Sequence, residues 1–166
     1  EENLALAARR GKRRTLRWGI KKVEREDYRE LLRTLDLGLE DRLSAKAGLL
    51  SGGQRQALTL LMAALVQPKL LLLDEHTAAL DPKTAAKVLE LSEQIVTENH
   101  LTTLMVTHNM RDAINLGNRL IMMSEGRVVL DIRGAEKKRL TVEDLLERFT
   151  AASGKEFSND RVLLGA

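Results

Sequence analysis

Cysteine is absent from this 166-residue chain. That excludes a disulfide framework and thiolate metal sites, zinc clusters included, and fits a reducing cytoplasm. No apolar run approaches the roughly 20 residues that span a bilayer, and the N-terminus has neither the apolar core nor the cleavage pattern of a secretory signal, so the chain reads as soluble. It opens at Glu1-Glu2-Asn3-Leu4 without an initiator Met, as though other sequence precedes it. A large excess of one charge is missing too. Charged residues make up 31% of the chain, but the net charge is only +3, which does not argue for nucleic acid as an obligatory partner. The basic excess is local, in Arg9-Arg10-Gly11-Lys12-Arg13-Arg14 with Arg17, Lys21 and Lys22 behind it. It reads as a solvated loop, with lipid headgroups or nucleic acid as the alternative anionic partners. There is no internal repeat, no low-complexity tract and no sustained heptad pattern.

What is present is enough apolar sequence, 43%, to build the core of one ordinary domain. From Glu24 to Leu37 the positions Tyr28, Leu31, Leu32 and Leu35 recur at helical spacing, with Gly38 as the stop. A second helix starts at Ser51, where Ser51 and Gln54 have capping-box spacing, and Pro68 lies beyond its end. Leu70 to Leu73 is a short continuous apolar run before two acids, the pattern of a strand buried on both faces. Asp81-Pro82 opens a long helix. Thr103 to Val106 reads as another buried strand, Asn109 to Leu116 as a short helix, and Leu120 to Met123 and Val128 to Ile132 as two strands joined at a turn. A final helix runs from Thr141 to Phe149. Strands alternating with helices imply an α/β fold with parallel strands at its centre, preceded by about 50 mainly helical residues.

Three segments carry chemistry. In Leu50-Ser51-Gly52-Gly53-Gln54 two glycines and a hydroxyl open a helix, which presents backbone N–H groups and partial positive charge to an anion. In isolation, Ser51 would be an ordinary cap. At the end of the apolar run, Asp74 and Glu75 arrive at a sheet edge where α/β folds bind ligands. Asp74 would hold Mg²⁺ through water and Glu75 would orient and deprotonate an attacking water; the plainer alternative is a solvated acidic turn. Val106-Thr107-His108 ends a second strand in the same way, which brings an imidazole to the same edge, where it can donate to a phosphate oxygen. His76 and His100 read as solvated loop residues.

The signature Leu50 to Gln54 followed by Arg55-Gln56, the Walker B run Leu70 to Asp74 with Glu75, Ala79-Leu80-Asp81 as a D-loop, and His108 as a switch histidine together resemble the ATP-binding cassette (ABC) family. The resemblance covers nearly the whole chain. It implies an α/β fold in which a helical signature subdomain, residues 1–66, is followed by the C-terminal part of a P-loop NTPase sheet with flanking helices, residues 67–166. It implies ATP and Mg²⁺ as cofactors and a head-to-tail dimer of two nucleotide-binding domains. In that dimer Ser51, Gly52, Gly53 and Gln54 would cap the partner's ATP, Asp81 would sit at the seam, and Asp74, Glu75 and His108 would serve the chain's own nucleotide. The partners implied are transmembrane permease subunits, the place the cytoplasmic face of the cell membrane, and the activity ATP hydrolysis that powers transport.

The sequence departs from that pattern chiefly in having no Gly-x-x-x-x-Gly-Lys-Ser/Thr: Gly11-Lys12 is followed by Arg13, and Gly154-Lys155 by Glu156. The chain is therefore expected to be the C-terminal part of a cassette, inactive alone. His76 stands where Pro is commoner and Ala79 where many members have Ser or Gly. Two alternatives stay open: a DNA-repair or chromosome-organising ATPase of the same superfamily, against which the missing heptads weigh, and a noncatalytic regulatory domain, against which the retention of Glu75 and His108 weighs.

Overall fold

A computed structural model describes residues 1–12 and 19–153. Arg13, Arg14 and Arg17 of the basic stretch, and Gly154 to Glu156, lie outside the described residues. The chain divides into two compact units, residues 1–105 and 106–166, so the boundary expected at residue 66 falls inside the first.

In the first unit, α1 (Glu2–Ala8) and α2 (Lys22–Arg33) are joined by a two-pronged ion pair in which Arg25 Nε and Nη2 donate to the Glu1 carboxylate at 2.6 and 2.8 Å. α2 buries Tyr28 and Leu32 on one stripe, as its periodicity predicts. It ends at Arg33, ahead of the expected Gly38, because the chain turns left-handed already at Asp36 (φ 52°). Two single 3₁₀ turns, Glu40–Arg42 and Ala47–Leu49, lead to α3 (Gly52–Ala64), capped by Ser51. β1 (Leu71–Asp74), α4 (Pro82–Glu98) and β2 (Thr103–Val106) follow. β1 and β2 pair, with the Leu71 N–H donating to the Thr102 carbonyl just ahead of β2 at 2.9 Å. A helical crossover between paired strands is the connection that parallel pairing requires. The core gathers Leu4, Leu35, Ala57, Leu71, Leu73 and Leu91.

The expectation of strands buried on both faces needs correction. Burial alternates along β1, with Leu71 and Leu73 inside while Leu72 is 64% exposed. On β2 burial alternates too, and Leu104 is half-exposed. One face of this two-stranded sheet meets the helices, and its other apolar face is open. The described strands form two separate two-stranded sheets, not one.

The second unit holds α5 (Met110–Asn115), β3 (Arg119–Ser124), β4 (Arg127–Arg133), α6 (Gly134–Lys137) and α7 (Val142–Ser153). β3 and β4 pair antiparallel around Glu125-Gly126, both with positive φ, the conformation that twists a two-residue hairpin correctly. Leu120 and Ile132 face each other in the register and pack with Met110 and Leu145. On the outer face Asp131 accepts from the guanidinium groups of both Arg119 and Arg133, which hold its carboxyl well below the usual carboxylate range. α7 opens with a reciprocal cap between Thr141 and Asp144.

Lys137 is the unexpected core member, 2% exposed. Its ammonium closes the C-terminal end of α5 by donating to the carbonyls of Ile114 and Leu116, which carry the negative end of that helix. Burial pushes its amine below the usual lysine range. Lys137→Met keeps the unbranched stem and removes the donor, so it should destabilise the chain by about 2 kcal/mol, read as a lower urea midpoint; an unchanged midpoint would show the two carbonyls are satisfied without it.

Candidate functional site

The glycine-opened start of α3 forms as the Ser-x-x-Gln spacing predicts. The Gln54 N–H donates to Ser51 Oγ at 3.2 Å, and the Ser51 N–H donates to Gln54 Oε1 at 3.0 Å. Gln54 Nε2 donates in turn to the Leu37 carbonyl at 3.0 Å. Both ends of the Gln54 amide are thus engaged inside the unit, and this residue fixes the loop's shape. Ser51 Oγ accepts one bond, and its own proton can be donated outward. The N–H groups of Gly52 and Gly53 are among those an α-helix leaves without an intrahelical partner, and the helix adds positive potential there. Gly52 is exposed and Gly53 is buried.

Space explains both glycines. A Cβ on Gly52 would sit 3.1 Å from Leu80 Cδ2, and one on Gly53 would overlap Thr84 Cγ2. The start of α3 is therefore pressed against the segment that opens α4. That segment has its own cap: Asp81 Oδ1 accepts from the Thr84 N–H at 3.1 Å, with Pro82 in the first turn. Bonds from the Thr84 hydroxyl and N–H hold the Asp81 carboxyl below its ordinary value. Asp81 is exposed. The structure so brings Ser51, Gly52, Gly53 and Gln54 beside the residue 80–84 segment, a proximity that spacing along the chain did not reveal.

Asp74 ends β1 and is exposed; Glu75, also exposed, follows at φ 41°. This left-handed conformation, uncommon for a glutamate, starts a turn in which the Ala78 N–H donates to the Glu75 carbonyl at 3.0 Å. The two neighbouring carboxylates leave the strand with different backbone directions. Among the described residues no group of three or more His, Asp or Glu side chains could form a metal cage. One exposed carboxylate at a strand end suits Mg²⁺, which keeps several waters and takes its other ligands from phosphates.

His76 was read as solvated, and the structure corrects this. It is half-buried, with Nε2 2.9 Å from Ser92 Oγ on α4. Burial pushes its imidazole below the usual histidine value. The signal available in the sequence was the replacement of the commoner Pro by a residue able to make such a bond. His108 lies in the second unit and is exposed. It directly precedes Asn109, which caps α5 by accepting from the Arg111 and Asp112 N–H groups at 2.9 and 3.2 Å. Burial raises the Asp112 carboxyl, opposed by charge at His108 one helical turn before it.

The family described as "ABC transporter" matches residues 2–78. A tyrosine transport ATP-binding protein of Clostridioides difficile (strain R20291) is 50% identical over 151 residues, covering 91% of this chain and 60% of the relative. Among solved structures, the ADP conformation of an ATP-binding cassette of an ABC transporter is similar with a TM-score of 0.67 and 25% identity, over 89% of this chain and 61% of that one. A dimeric post-hydrolysis state of an ATP-binding cassette bound to ADP and Pi gives a TM-score of 0.55 and 32% identity, over 70% and 50% of the two chains. The chain thus spans about three-fifths of the length of its curated relative.

Thr84 cannot turn its methyl away from Gly53 without moving the hydroxyl that bonds Asp81. Gly53→Ala should therefore destabilise the chain by about 1–3 kcal/mol despite alanine's better helix propensity. Adding Thr84→Ser removes the methyl, keeps the hydroxyl, and should restore most of the loss in thermal unfolding. Equal stability of Gly53→Ala and the parent would show that the close approach is relaxed in solution.

Proposed function

We propose that this chain, which is similar to the ABC transporter family over residues 2–78 and to a transport ATP-binding protein over 151 residues, supplies the signature loop and the catalytic carboxylate of an ATP-hydrolysing cassette that powers transport across a membrane. The observation that carries this reading is the N-terminus of α3, opened by two glycines of which Gly53 has no room for a side chain, and packed against the start of α4, in the unit whose β1 delivers Asp74 and Glu75. A helix start of this form offers backbone N–H groups and the Ser51 hydroxyl to a phosphate. As in the resembling cassettes, the nucleotide they cap would belong to a second cassette paired head to tail, reached through the exposed Ser51 and Gly52. Asp81, exposed at the start of α4, lies at that seam.

Asp74 and Glu75 serve the chain's own nucleotide. Asp74 would hold Mg²⁺ through water, and the ion would supply charge to offset that which develops on the phosphates. Glu75 orients the attacking water and takes its proton as the water approaches the γ-phosphorus in line. His108 donates to a γ-phosphate oxygen. The phosphate cradle itself is absent from these 166 residues. The open face of β1 and β2, lined by Leu70, Leu72 and Leu104, has the apolar character of a surface that another layer covers. We read it as the seat of the phosphate-loop half. Permease subunits at the cytoplasmic face of the membrane are the partners that dimer closure and opening would drive. No helix among the described residues is long and apolar enough to cross a membrane. A noncatalytic regulatory domain, the reading against which this one is tested, would need neither Glu75 nor the Ser51 donors.

Two experiments with a phosphate-loop half supplied separate these readings. Glu75→Gln should lower steady-state ATP turnover by about 10²–10⁴-fold while a fluorescent ATP analogue still binds. Equal turnover in variant and parent would remove Glu75 as the base. Ser51→Arg should leave the protein monomeric with ATP in light scattering where the parent dimerises; a normal ATP-dependent dimer would reduce Ser51 to a helix cap.

A further inference from the structure

The backbone leaves β1 through a conformation that a glutamate adopts only when its surroundings hold it there, φ 41° at Glu75. The next residue makes the turn fast to α4. His76 Nε2 lies 2.9 Å from Ser92 Oγ, in the middle of that helix. Ser92 is 4% exposed, and its hydroxyl donates its one proton to the Val88 carbonyl at 2.7 Å. The oxygen can therefore only accept from the imidazole, so Nε2 carries the proton and the half-buried ring is a donor. A strand exit, a left-handed glutamate and a directed hydrogen bond to a buried hydroxyl thus follow one another within two residues. His76 also occupies the position where a proline, with its fixed φ, is commoner in the resembling sequences. A proline would fix this turn through its ring, whereas here a side-chain bond to α4 does so.

We propose that His76, through its bond to Ser92, is a positioning residue that fixes the direction in which Glu75 presents its carboxylate to the attacking water. The role rests on the reading of Glu75 as the general base. A buried bond with a single allowed donor direction sets the turn against a rigid helix, and the carboxylate one residue earlier inherits that setting. Misplacement by an ångström is enough to lower a rate substantially without loosening nucleotide binding, since the phosphates are held elsewhere.

The bond is read directly by ¹H–¹⁵N correlation spectroscopy of the imidazoles in the described chain. His76 should show a slowly exchanging Nε2 proton that Ser92→Ala abolishes, and an Nε2 without a proton in the parent would overturn the donor assignment. With the phosphate-loop half supplied, His76→Ala and Ser92→Ala should each lower kcat about 10-fold with KM for ATP unchanged, and the double variant should fall no further, since the two act as one unit. Ser92→Ala places alanine inside a helix, so it stays informative where His76→Ala is unstable. His76→Gln, whose amide nitrogen reaches as far as Nε2, should recover kcat to within about 3-fold of the parent. Unchanged kcat in His76→Ala and Ser92→Ala, or no recovery with Gln, overturns the positioning role. Glu75→Gln, measured alongside, keeps the two failures apart. Full turnover in Glu75→Gln removes the general-base reading, whereas lost turnover there with unchanged kcat in Ser92→Ala removes only the role of His76.

Discussion

The first unit is organised by one close approach, that of the start of α3 to the start of α4. It depends on the missing Cβ of residue 53, whose space Thr84 occupies, while a Cβ on residue 52 would stand 3.1 Å from Leu80. The exposed Gly52 puts no side chain over the first N–H of α3, which is the condition for a phosphate to approach it. Packing and proposed binding therefore ask for the same residue type at adjacent positions. A substitution at Gly53 perturbs both at once, and the Thr84→Ser background is what separates them.

Around that contact, the polar groups are placed at helix ends. Ser51 and Gln54 cap α3, Asp81 caps α4, Asn109 caps α5, and Thr141 with Asp144 caps α7. Three of these caps lie in or next to segments assigned to nucleotide chemistry. A cap satisfies orphan N–H groups and fixes where the helix begins to within one residue, so each chemical segment is pinned at a rigid boundary. Lys137 does the same at the other end of α5, from a buried position. His76 adds a fixed point after β1, where no helix begins.

The open apolar face of β1 and β2 fits the other facts. A two-stranded sheet covered on one side is a marginal structure by itself. The chain spans 60% of a relative with which it is 50% identical. Leu70, Leu72 and Leu104 are apolar in the sequence because a buried strand demands it, and in the first unit their side chains are half-exposed or more.

The sequence by itself determined the order of α2, α3, β1, α4, β2, α5, β3, β4 and α7, the capped start of α3, the hairpin at Glu125-Gly126 and the family resemblance, because each is written in local spacing: a hydroxyl three residues ahead of its partner, an apolar run ending in Asp-Glu, two turn residues between apolar segments; it gave no sign of α1 or α6. It misjudged α2, whose end is set by a left-handed Asp36 and not by the glycine two residues on. It also misread β1 as covered on both faces, since an unbroken leucine run looks the same whether or not its second face has found a partner. Only the tertiary structure decided that Gly53 meets Thr84, 31 positions further along the chain, that His76 reaches Ser92 and that Lys137 is buried under α5. Such contacts depend on how helices lie against one another, and nothing in the local spacing of either partner records the meeting.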